Sequence, residues 1–254
     1  MNDNATVRLS VVIPAYNEAR RLPKTLDEVL NYLSRQEYRT EVVIADDGST
    51  DGTARAAEER NSTSIPLRVI THSDGRNHGK GAAVRLGMLD ACGQFRLFMD
   101  ADNSTTIEHV ERFWPFFEEG YDVVIGSRGM KASVITVSQP WYRKMAGSGG
   151  NKIIRALAVP GIQDTQAGFK MLTAACTDDL FPKLIVDRWG FDVEVLAVAR
   201  HCGYRIKEVP IAWENDPEGK VTLGTYFEVL AEVWRVRRNL KAGIYGRPST
   251  HNQS

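Results

Sequence analysis

Cysteine is scarce: Cys92, Cys176 and Cys202 are the three in 254 residues, and no pair has C-x-x-C spacing. So odd and scattered a set predicts neither a disulfide framework nor a zinc site. Cys92 and Cys202 stand in apolar, helix-like surroundings and read as small core residues. An excess of one charge is missing too. The 32 Lys+Arg balance the 32 Asp+Glu, which argues against a nucleic-acid binder, since such domains ordinarily carry a basic excess. No apolar run approaches the roughly 18 residues that a spanning helix needs. The opening MNDNATVRLS lacks the apolar stretch of a signal peptide. The chain is therefore expected in the cytoplasm, with any membrane contact peripheral. Internal repeats and low-complexity tracts are also absent, so neither a repeat array nor a biased tail is expected.

What is present suits a folded α/β domain. The hydrophobic fraction is 43% and the charged fraction 25%, ordinary values for a soluble protein. The length allows one large domain or two small ones with a substantial core. Short apolar, β-branched runs at Leu9–Ala15, Glu41–Ala45, Leu67–Thr71 and Phe95–Asp100 read as strands. Helical patterns lie between them at Leu22–Tyr32, Thr53–Arg60 and Gly81–Ala91, and a strand at Asp122–Gly126 follows an aromatic helix, Val110–Phe117. This alternation predicts a mostly parallel sheet covered by helices.

Gly129–Pro140 has no helical period and is bounded by Gly and Pro. It reads as a long loop, a feature that is often functional. Helices are expected next at about Arg143–Leu157, Ala174–Leu180 and Phe191–His201, then a last strand at Ile206–Trp213. From Tyr226 onward an amphipathic helix repeats Tyr226, Phe227, Leu230, Val233, Trp234 and Leu240 at helical spacing. Its end is basic, with Arg235, Arg237, Arg238 and Lys241. Such a helix either lies in a membrane interface or packs on the core with a solvated end.

Ligands of parallel sheets bind at the carboxyl ends of the strands, and here those ends are acidic. The first strand runs into Pro14-Ala15-Tyr16-Asn17-Glu18, the second into Asp46-Asp47-Gly48-Ser49 and the fourth into Asp100-Ala101-Asp102. Three acidic ends on one rim repel unless a cation or hydrogen-bond donors join them. A divalent metal with a nucleotide supplies both. Asp100 and Asp102 stand two apart at a strand end, so both carboxylates can lie on one side. Mg2+ or Mn2+ takes one or two such carboxylates and completes its shell with phosphate oxygens and water.

Capping competes as a role for the second acidic segment, where Ser49 and Asp51 suit the start of the next helix. Gly75–Gly81 fails the Walker spacing, and Val84 stands at the third glycine of G-x-G-x-x-G, which disfavours an NAD-binding oxidoreductase. Lys80, flanked by glycines at a helix start, can still approach a bound substrate. An exposed turn lysine would look the same.

PAYNE, ADDGSTDGT, NHGKG and MDAD, in this order and spacing, resemble the inverting family 2 glycosyltransferases with the GT-A fold. The second half narrows the resemblance. Gly126-Ser-Arg-Gly129, Asp164-Thr-Gln-Ala-Gly-Phe-Lys170, Arg188-Trp-Gly-Phe-Asp-Val-Glu194 and Val209-Pro-Ile-Ala-Trp213 are similar to the dolichyl-phosphate β-glucosyltransferase branch. Dolichyl-phosphate mannosyltransferases are its neighbours, and the likeness spans roughly residues 9–240.

The resemblance implies an α/β GT-A fold: a single Rossmann-like domain with a mostly parallel mixed sheet flanked by helices. It places a catalytic domain at 1–215, with a nucleotide-sugar half to about 105 and an acceptor half at 106–215, and an amphipathic extension at 216–254. By the same likeness Pro14, Ala15, Tyr16, Glu18, Asp46, Asp47 and Lys80 border the nucleotide. Asp100, Ala101 and Asp102 meet the diphosphate through Mg2+ or Mn2+. Arg128 faces the reacting phosphates, while Asp164, Gln166, Trp189 and Asp192 line the sugar pocket. Asp102, Arg128 and Asp192 are the residues expected to matter most to the chemistry. Mannosyltransferases supply a glutamine ligand two residues past D-x-D, where Ser104 stands here, which leaves the third metal ligand open. Eukaryotic members of the branch carry an N-terminal membrane anchor, and this chain is expected to reach the cytosolic face of the membrane peripherally instead.

Charge chemistry agrees with the resemblance. Expelling a nucleoside diphosphate develops negative charge, which a metal and nearby cations stabilise. Arg128 directly follows a strand on the same rim, and guanidinium suits bidentate phosphate binding. Arg143, after the long loop, is a second candidate for the acceptor phosphate, or one charge on a solvated helix face. Asp192 and Glu194 do not share a helix face, so at most one should point into the site.

The expected reaction carries glucose from UDP-glucose to polyprenyl or dolichyl phosphate with inversion. The same chemistry with GDP-mannose is the nearest alternative. Transfer to a saccharide hydroxyl would need a carboxylate base, Asp192 or Asp164. A non-catalytic nucleotide-sugar binding module is the reading from another class, against which Asp100, Asp102 and Arg128 argue.

Overall fold

A computed structural model describes residues 6–61, 65–137, 159–214 and 223–246. Arg143 and the helix expected at 143–157 lie outside them. The first half alternates β1 (Leu9–Ala15), α1 (Leu22–Leu33), β2 (Thr40–Asp46), α2 (Thr53–Glu58), β3 (Leu67–Thr71), α3 (Lys80–Asp90) and β4 (Phe95–Met99). After a 3-10 turn at Ile107–Arg112 come α4 (Trp114–Glu118), β5 (Val123–Ser127) and β6 (Val134–Val137). The remainder is β7 (Phe169–Thr173), α5 (Ala174–Leu180), α6 (Phe191–His201), β8 (Ile206–Pro210), β9 (Ala212–Glu214) and α7 (Leu223–Lys241).

The main sheet has seven strands in the order β3-β2-β1-β4-β7-β5-β8. Its pairs are parallel except on the two sides of β7, which runs antiparallel to β4 and to β5. This is the expected mostly parallel mixed sheet. β1 is apolar but for Ser10 because both faces of the sheet are covered. Leu9, Val11 and Ile13 join Leu22, Leu26 and Val29 of α1 on one side, while Val12 joins Val84 and Met88 of α3 on the other. The apolar spacing of α1 turns that face inward, and Pro23 sits in its first turn, where no intrahelical N–H is lost.

The structure corrects several expectations in the second half. Gly129–Pro140 is not loop throughout: it contains β6, which pairs in parallel with β9 in a separate two-stranded sheet. The last strand is interrupted at Ile211, so β8 stays in the main sheet and β9 leaves it. The aromatic helix is also split, because Pro115 starts a new helical turn in α4. β7 was not expected at all. Cys92 is exposed rather than core, lying past the end of α3 with its N–H and thiol directed to Glu41. Cys202 is buried as expected.

Helix α7 packs Val229, Val233 and Val236 into the core shared with α6. Leu230 and Leu240 pack against the same core. Trp234 faces out, 60% exposed, with exposed Arg235, Arg238 and Lys241 around it. The side chains of Tyr226 and Phe227 lie outside the described set.

Candidate active site

The carboxyl ends of β1, β2, β4 and β5 open on one rim. Because β7 runs the other way, its beginning reaches that same rim and brings the Asp164–Gly168 turn with it. Asn17 and Asn103 take left-handed conformations, φ 51 and 54 degrees, where the chain turns after β1 and β4. Asparagine tolerates that region better than most residues.

On the side built by β1 and β2, Pro14 and Ala15 form the buried end of β1, and Tyr16 emerges from it, 41% exposed. Glu18 receives Arg21 on both oxygens, Nε at 2.7 Å and Nη2 at 2.6 Å. Asp46 accepts from the N–H and hydroxyl of Ser49. Asp51 accepts from the N–H of Thr53, the first residue of α2, but the N-cap of that helix is Gly52, so neither Ser49 nor Asp51 stands at the cap position expected of them. Asp47 has another task. Its oxygens accept from Asn77 Nδ2, His78 N–H and Gly79 N–H, each at 2.8 Å, so it anchors the loop before α3.

That loop is glycine-rich because it packs against another backbone. A β-carbon on Gly79 would lie 2.5 Å from the Asp187 carbonyl, and one on Gly81 2.5 Å from that of Val186. The result carries Lys80 into the cleft rather than to solvent. Its Nζ stands 2.5 Å from Asp100 Oδ1, and it lies over the rings of Trp189 and Phe191 at 5.8 and 5.7 Å. Burial pulls the Lys80 ammonium down, but the charges of Asp100 and Asp192 outweigh it and hold its pKa above the ordinary value.

Asp100 and Asp102 follow β4. Asp102 accepts the N–H of Ser104 at 2.9 Å, and burial, together with the charge on Asp100, pushes its carboxyl up. Ala101 between them is buried, and its carbonyl accepts the Thr25 hydroxyl at 2.7 Å. Two hard oxygen donors side by side suit Mg2+ or Mn2+ sharing its shell with phosphate oxygens. Among the described residues no group of three or more His, Cys, Asp or Glu is placed to hold a metal ion alone. Asp100 and Asp102 would hold it together with oxygens of the ligand.

Across the cleft, Arg128 follows β5 and is gripped by Asp164. Nε meets Oδ2 at 2.7 Å and Nη2 meets Oδ1 at 2.9 Å, while the Arg128 N–H adds a third bond at 2.9 Å. Burial raises the Asp164 carboxyl, but Arg128 overrides it and holds it below the ordinary carboxylate range. The guanidinium also lies over Trp213 at 5.3 Å. Glu208 of β8 fixes the turn by accepting the N–H groups of Gln163 and Asp164 at 2.7 and 2.9 Å. Gln166 gives its N–H to Asp164 at 3.3 Å. A small cleft between these parts is lined by Asp100, Ser104, Arg128, Gly168 and Trp213, among others.

Asp192 and Glu194 part company as expected. Asp192 faces Lys170 of β7, whereas Glu194 turns away and accepts from Ile185 N–H, Val186 N–H and the Tyr245 hydroxyl. Trp189 is half-buried against the core beside Lys80. Sequence reasoning missed Lys170 and Trp213 as site residues, although both sit in the motifs quoted above. A lone lysine between Phe169 and Met171 is the signal that could have found the first, since a charge inside an apolar run needs a partner.

Residues 10–177 match the family model described as glycosyl transferase family 2. Dolichyl-phosphate β-glucosyltransferase of Mus musculus is 34% identical over 94% of this chain and 81% of its own length. Mannosyl-3-phosphoglycerate synthase of Rubrobacter xylanophilus superposes with TM-score 0.71 at 18% identity, covering 93% of this chain and 75% of that one. Glucosyl-3-phosphoglycerate synthase of Mycobacterium tuberculosis, crystallised with Mn2+, UDP-glucose and phosphoglyceric acid, gives 0.65 at 17% identity, covering 96% and 82%. These two structures share the GT-A fold with this chain.

Proposed function

This chain belongs to glycosyl transferase family 2, and from that premise we propose that it moves glucose from UDP-glucose to dolichyl phosphate or a related polyprenyl phosphate. The observation that carries the reading is the state of the two carboxylates that would serve as base toward a hydroxyl acceptor. Asp164 is gripped by Arg128 and Asp192 by Lys170, so protonating either would break an ion pair formed largely out of water. A phosphate acceptor needs no such base, because its oxygen is already ionised at neutral pH. The names of the relatives favour glucose over mannose.

In the proposed reaction a phosphate oxygen of the lipid attacks the anomeric carbon. The bond from that carbon to the β-phosphate oxygen of UDP breaks on the opposite face, which inverts the configuration and releases UDP. Asp100 and Asp102 would hold Mg2+ or Mn2+, which when bound would supply positive charge beside the departing diphosphate. Lys80 adds a second cation beside the same group, and Arg128 a third across the cleft. Tyr16, Glu18 and Asp46, with Pro14, border the nucleotide, and Asp47 acts one step back by holding the loop that presents Lys80. Arg143 remains a candidate for the lipid phosphate. The exposed face of α7 supports peripheral contact with the membrane that holds the acceptor.

The test incubates the protein with UDP-glucose or GDP-mannose and a short polyprenyl phosphate in detergent, with a saccharide acceptor in parallel. Glucose on the lipid phosphate is the expected product, with no basic-group limb in the pH–rate profile that Asp192→Asn removes. Product from GDP-mannose alone would replace the donor assignment. Product on the saccharide hydroxyl alone, with a limb abolished by Asp192→Asn, would end the phosphate-acceptor reading.

A further inference from the structure

Lys170 is the second residue of β7 and is 0% exposed. The neighbours of Lys170 in the strand, Phe169, Met171 and Leu172, are buried and apolar, so an apolar side chain would fill this position without the desolvation cost of an ammonium. The ammonium is held by specific partners instead. Nζ donates to the Ala167 carbonyl and to Asp192 Oδ1, and lies 5.3 Å from the centre of the Phe98 ring. Burial pulls the Lys170 ammonium down and pushes the Asp192 carboxyl up, and each charge offsets the cost of the other.

These contacts join two walls that are distant in the sequence. One is the Asp164–Gly168 turn, which grips Arg128 and whose Gly168 carbonyl accepts the Asp100 N–H at 3.1 Å. The other is the first turn of α6, which carries Asp192. We infer that Lys170 is a positioning residue of the transfer reaction: it sets the Asp192 carboxylate against the donor sugar. The inference rests on the reading of Asp192 as a sugar-pocket residue.

The experiment uses Lys170→Met, Asp192→Asn and the double variant, each assayed for Tm, kcat and KM with UDP-glucose and polyprenyl phosphate. Lys170→Met leaves a buried carboxylate without its partner and should lower Tm, whereas the double variant removes both charges and should regain it. Asp192→Asn should lose about 10- to 100-fold in kcat/KM, the scale of one charged hydrogen bond. The double variant should match that loss while its Tm stands near wild type, since Lys170 acts through Asp192 and has nothing further to give.

Three results overturn the inference. A double variant with wild-type kcat/KM makes the pair structural only. A double variant more than about tenfold worse than Asp192→Asn gives Lys170 a role of its own. A wild-type kcat/KM in Asp192→Asn removes that residue from the sugar pocket and the inference with it. The identity of the product, read in the same assay, would still decide the reaction class separately.

Discussion

Gly168 lies so close to Asp100 that a β-carbon on it would stand 2.0 Å from the carboxylate Oδ2. The glycine is therefore part of how Asp100 is aimed, although it carries no chemistry itself. Gly168→Ala should push the Asp100 side chain out of place, and a displacement of about 1 Å at a reacting centre costs on the order of 100-fold in rate. We expect kcat/KM to fall by about that much while the far-UV circular dichroism is retained. Wild-type activity in Gly168→Ala would show that Asp100 tolerates the shift or plays no part.

Asp102→Asn keeps the shape of the side chain and removes one charge from the proposed metal shell. Titration with UDP in the presence of Mn2+ should show binding weakened at least tenfold, with turnover lost in parallel. Chelator should abolish wild-type activity, and added Mg2+ or Mn2+ should restore it. Full activity in excess chelator would refute the metal assignment.

Glu41 offers a pH test far from the cleft. It is buried under Arg68 and accepts from Ser10 and Cys92. Burial raises its carboxyl, but the hydrogen bonds from Ser10 and Cys92, with Arg68, win and hold it below the ordinary glutamate value. A depressed folded pKa contributes stability that is full above the unfolded value of about 4.3 and is lost as pH falls through the folded one. The Tm advantage of wild type over Glu41→Gln should thus be present at neutral pH and shrink below about pH 4. An advantage that stays constant down to about pH 3 contradicts the linkage.

The outer face of α7 can be tested without disturbing the valines beneath it. Arg235→Glu, Arg238→Glu and Lys241→Glu together should abolish flotation with anionic liposomes and leave Tm little changed, because all three are exposed. Deleting the helix would be a poorer test, since it would uncover the core that Val229, Val233 and Val236 help to close. Equal flotation of the triple variant and wild type would rule out this face as the contact.

The first half was legible because its strands are buried on both faces and end in turn residues with distinctive chemistry. β1, β2 and β3 stand within a residue of their expected bounds. The second half was harder for identifiable reasons. Lys170 interrupts the apolar run of β7, and β6 is four residues long with Val134 56% exposed, so neither shows a clean period. The D-x-D carboxylates could be picked out from their place after β4. That Asp164 grips Arg128, 36 residues away, and that Asp47 serves the Gly79 loop are cross-chain pairings, which no local spacing encodes.

The reversed strand β7 also decides how the protein can be divided. It hydrogen-bonds to β4 on one side and β5 on the other, so it is the rivet between the strands before residue 105 and those after it. A fragment stopping near residue 105 would leave β4 as a bare edge, its unpaired amides open to another chain. Such a piece should aggregate rather than stand as a small nucleotide-binding module. The whole sheet must close before either half is safe, and β4 waits for a partner about seventy residues further along. Ordering that long-range pairing slows folding, and during synthesis it leaves a sticky seam that closes only after most of the chain has been made.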